Sequence, residues 1–189
     1  MLPRLRRQTS YRESVPTDLH RNAVIVRDAA RARGVDIDVR SFDQGARTAL
    51  DAAAAVGVEV GQIVKSLIFA VGEATTQLGA EVVLAMVSGA NNLDERKLAA
   101  AAGTSRAWRV DADVVRAATG FAVGGVAPVG HPSVLRTWID EDLLQFSEVW
   151  AAAGTPECVF AIAPEQLVSI TDARVADLAK RRTDQGSTP

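Results

Sequence analysis

The stretch from Gly61 to Val71 (GQIVKSLIFAV) constrains the fold more than any other part of this chain. Nine of its eleven positions are apolar or small, the make-up of a strand that enters a core. Lys65 sits in the middle of it. A lysine is almost never fully buried unless something pairs with it. Either its stem lies on apolar surface while the ammonium reaches water, or its charge points into a pocket that holds an anion or a polarised carbonyl. Taken alone, the stretch favours the first reading.

The flanking pattern predicts the architecture. Glu81–Ser88 (EVVLAMVS) is a second apolar strand, and Val35–Phe42 alternates apolar and polar residues as a half-buried strand does. Further strands are expected near Trp108–Val110, over Val134–Ile139, around Phe146–Ala151 and over Cys158–Ile162. Helices fall between them. Thr17 or Asp18 caps the first, which stops at Gly34; Thr48 caps Ala49–Val56, which stops at Gly57; Asp94 caps one that stops at Gly103. Asp111–Ala118, a short helix over Glu165–Val168 after Pro164, and a C-terminal helix opened by Asp172 complete the series. The elements interleave without strict βαβ alternation, and several consecutive strands lie close enough to be antiparallel. The expected fold class is α+β: a single domain with a mixed, largely antiparallel sheet flanked by helices. Residues 1–16 lack periodicity and read as an N-terminal arm, residues 17–182 as the domain, and residues 183–189 as a disordered tail.

Composition removes several function classes. A length of 189 residues suits one domain with a sizeable core. The single cysteine, Cys158, precludes an internal disulfide, fits a reducing cytoplasm, and lies in an apolar strand where a thiol is inert. No apolar run reaches the roughly 18 residues of a membrane span, and no apolar segment follows Arg4, Arg6 and Arg7 as a secretory signal requires. A net charge of −2 argues against coating nucleic acid by bulk electrostatics. The clusters Arg4, Arg6, Arg7 and Lys180, Arg181, Arg182 read as solvated termini, so any nucleic-acid contact is small. With only His20 and His131 and no Cys/His spacing, no metal site is expected. Phosphate-loop, dinucleotide and nucleophile-elbow motifs are absent, so no cofactor is expected either.

Two other segments carry candidate chemistry. In Gly120–Pro132 (GFAVGGVAPVGHP), Gly124, Gly125 and Gly130 strip side chains from a loop that Pro128 and Pro132 stiffen. The segment is either a wide turn or a loop whose bare N–H groups meet a ligand carbonyl or phosphate, an oxyanion site built without side chains. Ser88-Gly89-Ala90-Asn91-Asn92 reads as a turn, and Arg47-Thr48 as a helix start that doubles as a candidate substrate contact.

The ordered series TALDAAAAVGVEVGQIVKSLIF, VLAMVSGANNLDERKLAAAAG, ATGFAVGGVAPVG, VLRTWIDEDLL and VWAAAG is more specific than any one segment. It resembles the YbaK/ProX family of aminoacyl-tRNA deacylases, which includes the editing insertion domain of bacterial prolyl-tRNA synthetases. The resemblance covers roughly Val35 to Lys180. It implies a free-standing hydrolase that cleaves the ester between a wrong amino acid and tRNA, in the mixed fold already expected. The partners it implies are the aminoacyl-tRNA acceptor end and a cognate synthetase. The motif lysine, needed for activity in the family, falls on Lys65; the pocket-lining loop falls on Gly124, Gly125 and Pro128. Lys65, Gly124 and Gly125 are therefore the catalytic candidates. Arg47, Thr48 and Ser66, with Ser88, Asn91, Pro128 and Gly154, are the candidates for substrate binding. The residues leave two roles open for Lys65: anchor of the tRNA end, or electrostatic partner of the transition state. Ala, Ser, Thr and Cys are all small enough to be the edited amino acid. A non-catalytic module that binds aminoacyl-tRNA or a small ligand is the alternative.

Overall fold

The computed structural model describes residues 19–42, 48–73 and 80–181. The expected arm (1–16), the tail (183–189) and the caps Thr17 and Asp18 lie outside them. The first helix, α1 (Arg21–Ala32), is instead capped by His20, whose ring accepts from the Asn22 N–H at 3.1 Å. Among the described residues no helix is long and apolar enough to cross a membrane.

The fold is α+β, with two sheets where one was expected. In the larger, β2 (Val64–Gly72) and β3 (Glu81–Ser88) run antiparallel, with Val64 opposite Ser88 and Val71 opposite Glu81. β4 (Arg106–Arg109) pairs antiparallel with β2; β5 (Arg136–Asp140) and β8 (Arg174–Ala176) add parallel strands on the far side, giving the order β4-β2-β3-β5-β8. The smaller sheet is antiparallel, ordered β1 (Val39–Ser41), β7 (Cys158–Ile162), β6 (Val149–Thr155). A parallel bridge from Ile63 to Trp150 joins the two.

Burial explains why β2 and β3 read as unbroken apolar runs rather than alternations. Leu84, Met86 and Ile68 face the main core, shared with the smaller sheet, α1 and α5 (Pro164–Thr171). Val83, Ala85, Val87, Phe69 and Val71 face a second cluster closed by α3 (Glu95–Ala102) and Leu178. A strand covered on both faces has no polar side to show. A third cluster packs α2 (Ala49–Val56) on Ile63, Trp150 and Val159.

Among the described residues the expected C-terminal helix is absent. Asp172 has φ +51° and ends α5 in the left-handed conformation, which Asp tolerates better than most residues. The chain then forms β8 and a strap over the loop after β3: the Leu178 carbonyl accepts from the Asp94 N–H at 2.8 Å, and the Lys180 N–H donates to the Asn92 carbonyl at 2.7 Å. Arg181, expected to be a solvated tail residue, forms a two-pronged pair with Asp142 at 3.0 and 3.1 Å.

Candidate functional site

The site lies where the two sheets part. β4 pairs with β2 only from Phe69 to Gly72, and the smaller sheet touches this strand at the Ile63–Trp150 bridge. Between those points one edge of β2 has no strand partner among the described residues. The Ile63 carbonyl points to the β3 side, accepting from the Gly89 N–H at 2.6 Å. Main-chain groups alternate sides along an antiparallel strand, so the N–H and C=O of Ser66 and Ile68 point to the open edge.

That edge borders a cleft of about 420 Å³, the scale of a small-ligand pocket. Its opposite walls are Ala52 and Val56 of α2, Trp150 and Ala152 of β6, and Val115 of α4 (Ala112–Thr119), with Val123, Gly124 and Pro156 at the side. The polar side chains among its lining are Thr48, Lys65, Ser66, Arg109 and the Trp150 indole; no described Asp or Glu lines it.

Each candidate among the described residues has a definite place. Thr48 lines the cleft and caps α2 in a reciprocal pair with Asp51, at 3.1 and 3.0 Å. Ser66 lines it too, with a hydroxyl that is buried and has no hydrogen-bond partner. Lys65 is half-buried, and its Nζ donates to the Asn91 carbonyl. Burial, and then the neighbouring Arg109 guanidinium, hold the Lys65 ammonium below its ordinary pKa.

In the glycine loop the two central residues part company. Gly124 lines the cleft with φ +90°, and its N–H has no acceptor among the described residues. The Gly125 N–H donates to the Ala122 carbonyl at 3.0 Å, so that amide is committed to closing the turn. Gly125 is there for a different reason: a Cβ on it would lie 2.6 Å from the Thr155 Cα. The loop therefore presses its bare backbone against the tip of β6. His131 holds the far end of the loop through Nε2 and the Ala127 carbonyl at 2.8 Å, and burial pushes its pKa down.

The remaining candidates stand behind the cleft. Ser88 donates to the Gly61 carbonyl at 2.8 Å, tying β3 to the entry of β2. Pro128 is buried within the loop. Gly154 has φ +87° and is pressed against α1, with its carbonyl accepting from the Asn22 amide at 2.9 Å. Arg47 lies outside the described residues. Asn91 carries the Lys65 contact on its carbonyl, while its side-chain amide donates to Asp140 at 2.9 Å and Asp142 at 2.7 Å. Burial raises the Asp140 pKa, and the bonds from Arg181 lower that of Asp142. Sequence reasoning missed this support, together with Arg109 and Trp150. Only the parity of the short β4, which it placed one to two residues late, pointed to Arg109.

A family model described as "Aminoacyl-tRNA editing domain" matches residues 43–170. The chain belongs to this aminoacyl-tRNA editing family. An Enterococcus faecalis (strain ATCC 700802 / V583) protein named "Putative Cys-tRNA(Pro)/Cys-tRNA(Cys) deacylase EbsC" is 30% identical over 129 residues, which is 68% of this chain and 75% of that one. A Bacillus subtilis (strain 168) protein, "Uncharacterized protein YwhH", is 29% identical over 138 residues, covering 73% and 83%. A solved structure described as "a putative trans-editing enzyme for prolyl tRNA synthetase" superposes with TM-score 0.79 at 44% identity, covering 87% of this chain and all of that one (100%). The editing-domain family thus bears out the resemblance read from the ordered motifs, and with it the enzyme class, aminoacyl-tRNA deacylase.

Proposed function

We propose that this protein hydrolyses, in trans, the ester of a tRNA mischarged with a small amino acid, with Ala, Ser, Thr and Cys as the candidates. The observation that carries the reading is the meeting of Lys65 and the unpaired Gly124 amide at one largely apolar cleft. The apolar walls accept a small side chain. The Gly124 N–H supplies a fixed dipole for the charge that develops on the ester oxygen, and such a donor contributes about 10²–10³ in rate. Lys65, fastened to the Asn91 carbonyl, adds a positive charge beside the acceptor end.

No described Asp, Glu or His lines the cleft, so the proton of the attacking water passes to the substrate's own groups. Discrimination by size alone is limited, about 10–200-fold per methylene, which suits a second sieve behind a synthetase. The partners in this reading are the aminoacyl-tRNA acceptor end and the cognate synthetase, in the cytoplasm.

A deacylation panel tests it. Ala-, Ser-, Thr- and Cys-tRNA are incubated with the protein and with Lys65→Ala, and ester loss is followed. The expected result is rapid loss of at least one ester and its near-abolition in the variant. A folded protein that leaves the whole panel intact would sink the reading. Retention of aminoacyl-tRNA on a filter without ester loss would establish the non-catalytic binding module instead.

A further inference from the structure

We infer that Arg109 is a second phosphate-binding cation, which with Lys65 grips a phosphodiester at the 3′ end of the nucleic-acid substrate. This rests on the reading above and adds a residue to it. Both side chains line the same cleft, and no Asp or Glu does so among the described residues. Among the described residues neither has a carboxylate within ion-pair distance, whereas Arg27, Arg31, Arg33, Lys97, Arg136 and Arg181 all do.

The strand geometry places them together. Arg109 is opposite Phe69 across β2 and β4 and lays its guanidinium over the Phe69 ring, 5.6 Å from its centre. Lys65 is four residues earlier on β2, hence on the same face, about 13 Å back along the strand. Both side chains line the cleft beside the free edge, the Lys65 head held at the Asn91 carbonyl and the Arg109 guanidinium over the Phe69 ring. The Lys65 ammonium uses one donor on the Asn91 carbonyl and keeps two. Arg109 is exposed, stiffened by the ring beneath it, and offers the planar fork that matches two phosphate oxygens.

Two like charges at one cleft with no described carboxylate in its lining oppose each other, and the Arg109 charge disfavours the charged form of Lys65. Burial is the main cause of the depressed Lys65 pKa, and the Arg109 charge adds to it. An anion between them relieves it. A phosphodiester fits better than a carboxylate, because it presents oxygens to both cations while the ester end continues into the apolar part of the cleft.

The test uses the dinucleotide cytidylyl-(3′→5′)-adenosine, adenosine and inorganic phosphate as probes of the whole protein, read by the NMR signal of the Lys65 ε-CH₂. The dinucleotide is expected to shift that signal and raise the Lys65 pKa; Arg109→Gln is expected to weaken its binding about tenfold. With aminoacyl-tRNA, Arg109→Gln is expected to raise KM about tenfold, leave kcat near its original value, and reduce the salt dependence of binding. Arg109→Lys is expected to fall between. Equal affinity for adenosine and the dinucleotide, or no change in Arg109→Gln, would overturn the proposal. Inorganic phosphate binding as tightly as the dinucleotide would overturn the nucleic-acid assignment and leave a site for free anions. Because the probes carry no aminoacyl ester, these outcomes are separable from failure of the deacylation panel.

Discussion

Replacing Gly125 with alanine separates the packing of the glycine loop from its chemistry. The new Cβ would lie 2.6, 2.8 and 3.0 Å from the Cα, carbonyl carbon and nitrogen of Thr155. All three are main-chain atoms, and Thr155 is held by its pairing with Cys158 at the tip of β6 and β7, so the loop must give way. Ordinary carbon contacts begin near about 3.5 Å, which requires a retreat of about 1 Å. Overpacking of this kind costs about 1–3 kcal/mol, and each kcal/mol lowers Tm by about 2–4 °C for a chain of this size. The neighbouring Gly124 amide moves with the loop, and a misplacement of about 1 Å costs about 10²-fold in rate. Thermal unfolding and single-turnover deacylation of Gly125→Ala are the assays. A variant that melts and turns over like the parent would refute the close approach and the alignment derived from it. Gly124→Ala is the matched control: its Cβ would meet only the Pro156 Cγ, at 3.8 Å, so its cost is the strain of a left-handed φ, about 1–2 kcal/mol.

Three further outcomes follow from the site and its supports. In the proposed mechanism Lys65 acts as a cation, and its pKa is depressed, so the rate is expected to fall as pH rises through a value below the ordinary 10.5 of lysine, and in Arg109→Gln that alkaline limb is expected to move to higher pH; an unmoved limb would separate the two residues. Asp140 binds its proton more tightly in the folded protein than in the unfolded chain because it is buried. Its contribution to stability is therefore greatest below the ordinary carboxylate value of 3.8 and is lost as pH rises through the raised folded pKa; Asp140→Asn should flatten that decline in urea titrations, and an unchanged slope would exclude Asp140 as its source. Thr48→Ala removes the reciprocal cap of α2, costing about 1 kcal/mol and lowering Tm by about 2–4 °C.

The local part of this structure was written in single segments. Thr48 with Gly57 and Asp94 with Gly103 bracket α2 and α3 as expected, because a cap and a left-handed stop act within one turn of chain. Glu81–Ser88 and Cys158–Ile162 matched strands to the residue, since a run buried on both faces admits no polar interruption. The ordered motifs around Lys65 and the glycine loop were enough to place the chain in its family.

What failed was each reading that depended on a distant partner. Asp172 looked like a helix opener, yet the segment after it forms β8 because β5 offers a free edge more than thirty residues away. Arg181 looked like a solvated charge, yet its carboxylate partner, Asp142, is 39 residues upstream. Asn91 looked like a turn residue, and its tie to Asp140 and Asp142 spans 49 and 51 residues. The two glycines that seemed equivalent in sequence were divided by Thr155, which claims the space beside Gly125 and leaves Gly124 facing the cleft. Sequence by itself determined the caps, the buried strands and the motif lysine, since these express backbone and burial preferences of neighbouring residues. Only the tertiary structure decided where β2 loses its strand partners, and so where a cleft opens with Lys65 and Arg109 beside it, because an unpaired edge is defined by which distant strands stop short of it.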